Sequence, residues 1–360
     1  MTKIRSLMNK LRDSGKDALL VSSELNQRYV SGFNYTDGYI LVTPTLAYLL
    51  ADFRYIEAAR ETVKDAYFEV IMPCGSMIGE LEHLIAENGI RSLLIEESDV
   101  SCARLALLAK RFEGVEILHG ASEIFDGMRL IKSAEELSLM MEAQRITDEA
   151  FSHIIKVMTP NMTEIEVALE LEFFMRRNGS EGVAFDTIAV SGSASSMPHG
   201  VPRNVKLERG FLTMDFGAKY RGYCADMTRT VVIGKADDEI KKVYSTVLCA
   251  QKAALDMICE GVNCHSVDKC ARDIINAAGY EGCFGHGLGH GVGMLVHEAP
   301  RLSPSAQKDS TLKRGMTTSV EPGIYIAEKY GCRIEDLVAI DVDGKVLNMT
   351  KSNKEMIELF

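Results

Sequence analysis

Residues 212–230 read LTMDFGAKYRGYCADMTRT, and they contain the clearest β-structure signal in the chain. Apolar and polar residues alternate on both sides of a Lys-Tyr-Arg-Gly segment that can turn, which predicts a β-hairpin. We place the centre of the turn between Tyr220 and Arg221. Asp215 then lies directly opposite Asp226, and two like charges in that position are destabilising unless a cation lies between them. The alternative is a register shifted by one residue, with both aspartates on a solvated face.

A second predicted hairpin repeats this arrangement at residues 320–338, VEPGIYIAEKYGCRIEDLV. Centred on Glu328, it pairs Glu321 with Glu335. Arg333 shares the face of Glu335, because side chains two residues apart in a strand point the same way. Either hairpin could arise by chance. Two carboxylate pairs opposed across hairpins within one predicted domain favour a cation site.

Residues 284–294, FGHGLGHGVGM, carry glycine at every odd position from 285 to 293. A helix would lose about 1 kcal/mol at each glycine, so we expect an extended segment with His286 and His290 on one face. Glycine in a strand also marks the close approach of another backbone or a ligand. Carboxylates together with imidazole suit Mn, Co, Fe or Zn, and a set with two bridging carboxylates suits a pair of ions that performs hydrolysis. A purely structural histidine cluster is the alternative.

The composition excludes several classes of protein. The chain has 360 residues, with 51 acidic and 40 basic ones, and its formal charge of -11 has the wrong sign for binding nucleic-acid phosphates. Nine cysteines, with no C-x-x-C pair and a charged first segment, predict reduced thiols in a cytoplasmic protein. No run has the roughly 18 apolar residues of a membrane span. We therefore expect neither nucleic-acid nor membrane partners.

The chain is predicted to be an α/β (α+β) protein of two domains, residues 1–125 and 126–360. In the first, short apolar runs alternate with helical patterns, which is typical of a compact α/β domain. In the second, two capping boxes, at Ser133 and Thr163, open helices ahead of a glycine-rich β region. Helices and then β structure follow once more, which suggests two similar halves, although no repeat is evident in the sequence itself.

The ordered set Asp215, Asp226, His290, Glu321 and Glu335 resembles the metal ligands of the dinuclear metallopeptidases with the pita-bread fold, peptidase family M24. That group contains methionine aminopeptidase, aminopeptidase P and prolidase. The resemblance extends through MDFGAKYRGYCADMTRT, GHGLGHGVGMLVHEAP, VEPGIY and RIED, and it covers most of residues 130–360. RYVSGFNYTDGYILVTPTLAYLLADFRY also resembles the N-terminal domain of aminopeptidase P, prolidase and creatinase, which methionine aminopeptidases lack.

This resemblance implies a creatinase/prolidase-like N-terminal domain followed by a pita-bread catalytic domain with pseudo-symmetric halves. It implies that Asp226 and Glu335 bridge two divalent metal ions, that Asp215 completes one metal site, and that His290 and Glu321 complete the other. We expect the metal to be Mn, with Co, Zn or Fe fitting the same ligands. Glu321 is then also the group that carries a proton to the leaving nitrogen.

The resemblance extends to residues around the metals. His199 matches a histidine that steadies the tetrahedral intermediate, and His297 matches one that contacts the scissile amide and the proline side. The resemblance also implies that Arg333 orients the bridging carboxylates and the water. His286 matches a substrate-pocket histidine, and Arg301 matches the place where prolidase-like members hold a substrate carboxylate.

The function implied is an Xaa-Pro peptidase, which removes the residue before a proline from short peptides with proline in the second position. Aminopeptidase P and prolidase, which takes dipeptides, both remain open, with a slight preference for short substrates. The alternatives are a non-catalytic peptide-binding protein on the same fold and an aminopeptidase of broader, non-proline specificity. Intact ligands at all five positions argue against a creatinase, which does not need these metals. The family usually forms homodimers, so we expect a homodimer.

Overall fold

The chain, seen here in a computed structural model that describes residues 2–360, divides into two units, one ending at Met128 and the other beginning at Arg129. Residue 125, the predicted domain boundary, lies within the helix Ala121–Leu130. Within the described part of the chain, no helix is both long enough and apolar enough to cross a membrane. All nine cysteines are free thiols.

The first unit is a six-stranded sheet with helices around it. The helices are α1 (Lys3–Ser14), α2 (Glu24–Ser31), α3 (Ile56–Thr62), α4 (Met77–Glu87), α5 (Cys102–Arg111) and α6 (Ala121–Leu130). The strands are β1 (Ala18–Val21), β2 (Tyr39–Val42), β3 (Ala47–Leu50), β4 (Phe68–Ile71), β5 (Ser92–Ile95) and β6 (Glu116–Leu118). Their order across the sheet is β4-β3-β2-β1-β5-β6, and β1, β5 and β6 run parallel.

Sequence chemistry explains this unit directly. The runs ALLV, YILV and AYLL form β1, β2 and β3, and every residue of the three strands is buried, as expected for strands covered on both faces. Helices α2, α4 and α5 begin after serine N-caps whose hydroxyls accept a backbone N–H three residues on, at Ser23, Ser76 and Ser101. The buried apolar runs and the serine N-caps together account for the alternation of strands and helices in this unit.

The second unit contains four long helices and a set of smaller sheets. The helices are α7 (Ala134–Val157), α8 (Glu164–Arg177), α9 (Asp238–Met257) and α10 (Cys264–Ala277), with a short 3-10 helix at Gly192–Ser196. The strands are β7 (Gly182–Val183), β8 (Ile188–Ser191), β9 (Gly210–Phe216), β10 (Ala218–Tyr220), β11 (Tyr223–Cys224), β12 (Met227–Ile233), β13 (Gly289–Gly291), β14 (Glu298–Leu302), β15 (Thr317–Val320), β16 (Gly323–Ile326), β17 (Tyr330–Arg333), β18 (Asp336–Ile340), β19 (Val346–Asn348) and β20 (Glu358–Leu359).

The two halves of this unit repeat one another. Helices α8 and α10 each have 14 residues, and their bounds, 164–177 and 264–277, differ by 100 at both ends. Helices α7 and α8 pack on the sheet β20-β12-β9-β8 in one apolar cluster, while α9 and α10 pack on β15 and β18 in another. Pseudo-symmetric halves are therefore present, although the sequence showed no repeat, because packing preserves apolar positions rather than residue identities.

The register of the first hairpin differs from the prediction. Strand β9 pairs with β12 so that Asp215 faces Thr228, and the register continued toward the turn puts Gly217 opposite Asp226. The turn is a two-residue loop of Arg221 and Gly222, both with positive φ (47° and 89°), which matches the twist of the strands. The direct pairing of the two aspartates was wrong. They are instead diagonal neighbours on one face, within reach of a shared ligand.

The register of the second hairpin is confirmed. Ladder pairs on both sides, Val320 with Asp336 and Gly323 with Arg333, place Glu321 opposite Glu335. The turn residue Glu328, on which the prediction was centred, has a positive φ of 61°. Glu321, just before β16, and Glu335, just after β17, therefore lie at the same end of the hairpin.

The glycine-rich segment is extended only in part. Strand β13 covers Gly289–Gly291, with an irregularity after His290, and the residues before it form bends rather than a strand. The glycines nonetheless mark close backbone approaches: a Cβ on Gly289 would overlap the carbonyl of Ser319, and one on Gly291 would overlap the carbonyl of Ala299. The expected role of glycine in this segment is confirmed for these positions.

We expect G289A to destabilise the second unit by about 2 kcal/mol or more, because the new methyl group overlaps backbone that cannot move alone. The matched control is G285A, since a Cβ at that exposed position meets no atom within 4 Å; it should change stability by less than about 0.5 kcal/mol. Denaturant unfolding of both variants measures the difference. Equal stability of the two variants would contradict the tight approach of β13 to β15.

Candidate metal centre

A cavity of about 590 Å³ opens in the second unit between its two halves. It is lined by residues of the first hairpin, the second hairpin and the glycine-rich segment. All ten site residues predicted from the sequence line it, namely His199, Asp215, Asp226, His286, His290, His297, Arg301, Glu321, Arg333 and Glu335. The tertiary structure therefore brings together residues that are up to 136 positions apart, from 199 to 335.

The acidic residues crowd around His290. Its Nε2 lies 3.2 Å from Oε1 of Glu321 and 3.7 Å from Oδ2 of Asp226. One ligand atom each from Asp226, His290 and Glu335 lie within 4.8 Å of one another, and all three residues are buried. The site thus offers a compact set of oxygen and nitrogen donors with almost no solvent access.

Arg333 is the cation already present among these acids. It donates from Nη2 to Oδ2 of Asp215 at 2.6 Å, and its side chain is 4% exposed. Its Nη1 donates to the hydroxyl of Tyr325 at 2.7 Å, and that hydroxyl lies 2.9 Å from Nε2 of His286. Arg333 therefore fixes one oxygen of Asp215. The other oxygen, Oδ1, is buried and has no hydrogen-bond partner among the described residues.

Thr228 joins the two hairpins. Its hydroxyl donates to Oε2 of Glu335 at 2.7 Å and accepts from Nε of Arg333 at 2.9 Å. Its carbonyl accepts the backbone N–H of Glu335 at 3.1 Å. Because Thr228 faces Asp215 in the β9–β12 ladder, this one residue sets the distance between the acids of the first hairpin and those of the second.

Burial and mutual repulsion dominate the electrostatics of the acids. Burial, and then the charges of neighbouring carboxylates, raise the pKa of Asp226 and of Glu335 well above the usual range. Burial also raises the pKa of Asp215, against the charge of Arg333. Glu321 behaves differently: burial opposes its ionisation, but the hydrogen bond to His290 and the charges of His290 and His286 lower its pKa to about 2.

These residues fit divalent metal ions. Several ionised carboxylates do not lie together in a buried site unless cations balance their negative charge. Arg333 supplies only one positive charge for four acids. Because Oδ1 of Asp215 has no hydrogen-bond partner among the described residues, its lone pairs are available to a metal ion. Mixed carboxylate and imidazole donors suit first-row transition metals. Asp215, Asp226, His290, Glu321 and Glu335 are the residues that would hold them.

Three predicted residues lie at the outer part of the cavity. His199 and His297 are exposed to it, and the ring of His297 stacks edge-on against that of His290 at 4.4 Å between centroids. Burial, together with the charges of His290 and Arg301, lowers the pKa of His297. Arg301 is paired with His290 in the β13–β14 ladder, and among the described residues it forms no ion pair. It is therefore a cation at the cavity wall that is available to an anionic group.

The sequence reasoning missed Tyr325 and Thr228. Tyr325 could have been found, because Glu321, Tyr325, Arg333 and Glu335 all have odd numbers in a hairpin whose register was predicted correctly, so they share one face. Thr228 could not have been found in the same way. Its position opposite Asp215 depends on the first hairpin, whose register was predicted wrongly.

Comparison with known families agrees with this geometry. The model of metallopeptidase family M24 matches residues 138–341, and the model of the creatinase/prolidase N-terminal domain matches residues 3–131. The chain is 40% identical to the uncharacterized peptidase YqhT of Bacillus subtilis over 99% of this chain and 100% of the relative.

Two solved structures are similar over nearly the whole chain. The Xaa-Pro dipeptidase from Bacillus anthracis has a TM-score of 0.93 and 38% identity, covering 99% of both chains. The X-Pro aminopeptidase from Thermotoga maritima has a TM-score of 0.90 and 36% identity, covering 98% of this chain and 100% of that one. The predicted resemblance and fold class are confirmed: this chain belongs to metallopeptidase family M24, with a creatinase/prolidase N-terminal domain ahead of its catalytic unit.

Proposed function

We propose that this enzyme is a two-metal Xaa-Pro dipeptidase. The observation that carries the proposal is the joint placement, in one cavity of about 590 Å³, of the five-residue donor set and of Arg301, which has no ion-pair partner among the described residues. That volume is within the range of sites that hold small ligands. Relatives named Xaa-Pro dipeptidase, such as the one from Pyrococcus horikoshii with 37% identity over 99% of this chain, support the same specificity.

The chain's own residues divide the work of hydrolysis. When bound, the metal ions would polarise the scissile carbonyl and lower the pKa of a water. Glu321 takes the proton that the attacking water loses and delivers it to the prolyl nitrogen as the C–N bond breaks. His199 and His297 donate hydrogen bonds to the oxyanion and the scissile amide. Arg333 and Thr228 keep the acids in position throughout.

Proline at the second position explains why a dedicated site is needed. A prolyl amide has no N–H and a fixed φ, so it cannot be held by the hydrogen bonds that recognise an extended peptide. In a dipeptide the proline also carries the terminal carboxylate. Arg301 binds that carboxylate, with two parallel hydrogen bonds available to a guanidinium. His286, held by Tyr325 at 2.9 Å, forms the wall of the substrate pocket.

The second candidate is an Xaa-Pro aminopeptidase, which would act on longer peptides. It is favoured by the similarity to the Thermotoga maritima X-Pro aminopeptidase at a TM-score of 0.90. We further propose manganese as the metal, a homodimer as the assembly and the cytoplasm as the location. The ligand chemistry supports manganese but suits Co, Zn and Fe as well.

Metal removal tests the reaction. We expect chelation to abolish cleavage of an Xaa-Pro dipeptide, and addition of Mn to restore it, because the acids and His290 alone cannot activate water. Hydrolysis is followed by release of free proline. Failure of every metal-reconstituted form to cleave any Xaa-Pro peptide would sink the proposal.

Neutralising one acid separates metal binding from folding. We expect E335Q to stabilise the metal-free protein by about 1 kcal/mol, because it relieves repulsion among buried carboxylates. The same change should remove most of the rise in melting temperature that Mn produces in the wild type, since a residue that would hold the metal is lost. Thermal unfolding with and without Mn gives both quantities. A metal-induced rise of wild-type size in E335Q would contradict the assignment of Glu335 as a ligand.

Arg301 tests the substrate class. We expect R301A to raise KM for an Xaa-Pro dipeptide by about tenfold, which corresponds to about 1.4 kcal/mol, because the substrate carboxylate loses its partner. An Xaa-Pro-Yaa tripeptide should be affected by less than about twofold, since its carboxylate lies one residue further away. Steady-state kinetics on the two substrates provide the comparison.

The control for this experiment is R314A, which removes an exposed arginine that is paired with Glu260 and does not line the cavity. It should leave KM for both substrates unchanged. Efficient wild-type cleavage of the tripeptide, combined with indifference of dipeptide cleavage to R301A, would favour the aminopeptidase instead.

A further inference from the structure

A buried ionic cluster lies behind the catalytic cavity, outside the site described above. Nζ of Lys132 lies 3.2 Å from Oε2 of Glu298, and Nε of Arg129 lies 3.6 Å from Oε1 of the same carboxylate. The side chains are almost inaccessible, with 1% of Lys132 and 6% of Glu298 exposed. Neither Lys132 nor Glu298 lines the cavity.

Such a cluster is costly to bury. Removing an ammonium and a carboxylate from water costs several kcal/mol for each ion, and the attraction between them offsets this only when the geometry is good. Burial lowers the pKa of Lys132, and the charge of Glu298 opposes that shift. A pair of well-packed apolar residues would serve stability equally well, so the position of these charges calls for a reason besides stability.

A backbone hydrogen bond fixes the position of Lys132. Its N–H donates to the carbonyl of Gly315 at 2.7 Å, and Gly315 has a positive φ of 78°. A Cβ on Gly315 would overlap the backbone of Lys132. The ammonium group therefore projects from a fixed point toward Glu298.

Glu298 in turn fixes the loop that leads into β14. Its Oε1 accepts the backbone N–H of Leu295 at 3.1 Å. Its carboxylate also lies where a Cβ on Gly293 would be, so the loop can approach only because residue 293 is glycine. The carbonyl of Gly293 accepts the N–H of Cys224 at 2.7 Å, which ties the same loop to the strand that leads to Asp226.

His297 lies between these fixed points. It is the last residue of the bend formed by residues 293–297, and it immediately precedes Glu298, the first residue of β14. Glu298 points into the ionic cluster, while His297 lines the cavity and contacts the ring of His290. A small rotation of the chain at Glu298 would therefore swing His297 relative to His290.

We propose that Lys132 and Glu298 are positioning residues that hold His297 in its reactive orientation from behind the cavity. Lys132 fixes the carboxylate, the carboxylate fixes the loop at Leu295, and the loop fixes His297. The proposal deepens the proposed function in one respect only, since it relies on the role of His297 in Xaa-Pro hydrolysis. Neither Lys132 nor Glu298 touches the substrate.

Two variants test it by kinetics. K132M replaces the lysine by an unbranched apolar side chain that is one atom shorter and uncharged. E298Q keeps the shape of the carboxylate but has only one acceptor oxygen, so it loses either the hydrogen bond from Leu295 or the one from Lys132. We expect each variant to lower kcat on an Xaa-Pro dipeptide between about tenfold and a hundredfold, because small misplacements of a reacting group have effects of that size. KM should change by less than about twofold.

A double-mutant cycle with H297A identifies the route of the effect. If Lys132 acts through His297, adding K132M to H297A should lower kcat by no more than about twofold further. The control is K269M, which removes an exposed lysine paired with Asp273 on α10 and should leave kcat unchanged. Rates are compared per mole of folded, metal-loaded enzyme. Wild-type kcat in both K132M and E298Q, or a full additional loss in the double mutant, would overturn the proposal.

A crystal structure of K132M gives a readout that needs no substrate. We expect the His297 ring to leave its position 4.4 Å from the His290 ring or to become disordered, with the metal ligands in place. An unmoved His297 would overturn the positioning role even if the enzyme proved to have another substrate. Absence of Xaa-Pro cleavage by the wild type, with His297 displaced in K132M, would instead overturn only the proposed function.

Discussion

The crowding of four carboxylates at a nearly dry point is the constraint on which the second unit depends. Asp226 and Glu335 are buried, and Asp215 and Glu321 keep only 13% and 15% of their side chains exposed. No packing of apolar groups could compensate such a concentration of negative charge, because the penalty grows as water is removed. Arg333 compensates part of it, and the free oxygen of Asp215 shows where further positive charge is needed.

The acids come from both halves of the repeat, so the site exists only when the halves are assembled. The first hairpin brings Asp215 and Asp226, and the second brings Glu321 and Glu335. Thr228 connects the two through hydrogen bonds to Glu335 and Arg333. Deeper in the seam, Arg229 donates to Asp336 at 2.8 Å, and both side chains are fully buried. Polar connections of this kind specify one relative placement of the halves, which apolar contacts alone would not do.

Residues behind the cavity hold the backbone segments that carry its histidines. Glycines at positions 289 and 291 let backbones approach closely enough for His290 to reach the acids. Behind the cavity, Glu298 uses the space left by Gly293 to hold the loop before His297. In both places the histidine that lines the cavity lies on a segment whose backbone is held by groups behind the cavity. Precision at the site is thus a property of the layer behind it.

Local signals were sufficient where one segment determines its own structure. Apolar runs alternating with helical patterns predicted the α/β class of the first unit, and capping boxes at Ser133 and Thr163 predicted the starts of α7 and α8 in the second. A turn centred on Glu328 predicted the register of the second hairpin. The turn of the first hairpin was predicted one residue too early. Arg221 adopts a positive φ, which is unusual for an arginine and gives no signal in the sequence. That shift exchanged Asp226 for Thr228 as the partner of Asp215.

Residue chemistry and periodicity along the chain are enough to specify the types of the candidate ligands, their order and the two-domain α/β class. Only the tertiary structure decided which atoms meet. The contacts of Arg333 with Asp215, of Tyr325 with His286 and of Lys132 with Glu298 join residues distant in the chain. Such contacts depend on how the halves pack, and packing depends on the shape of the whole core rather than on any local pattern.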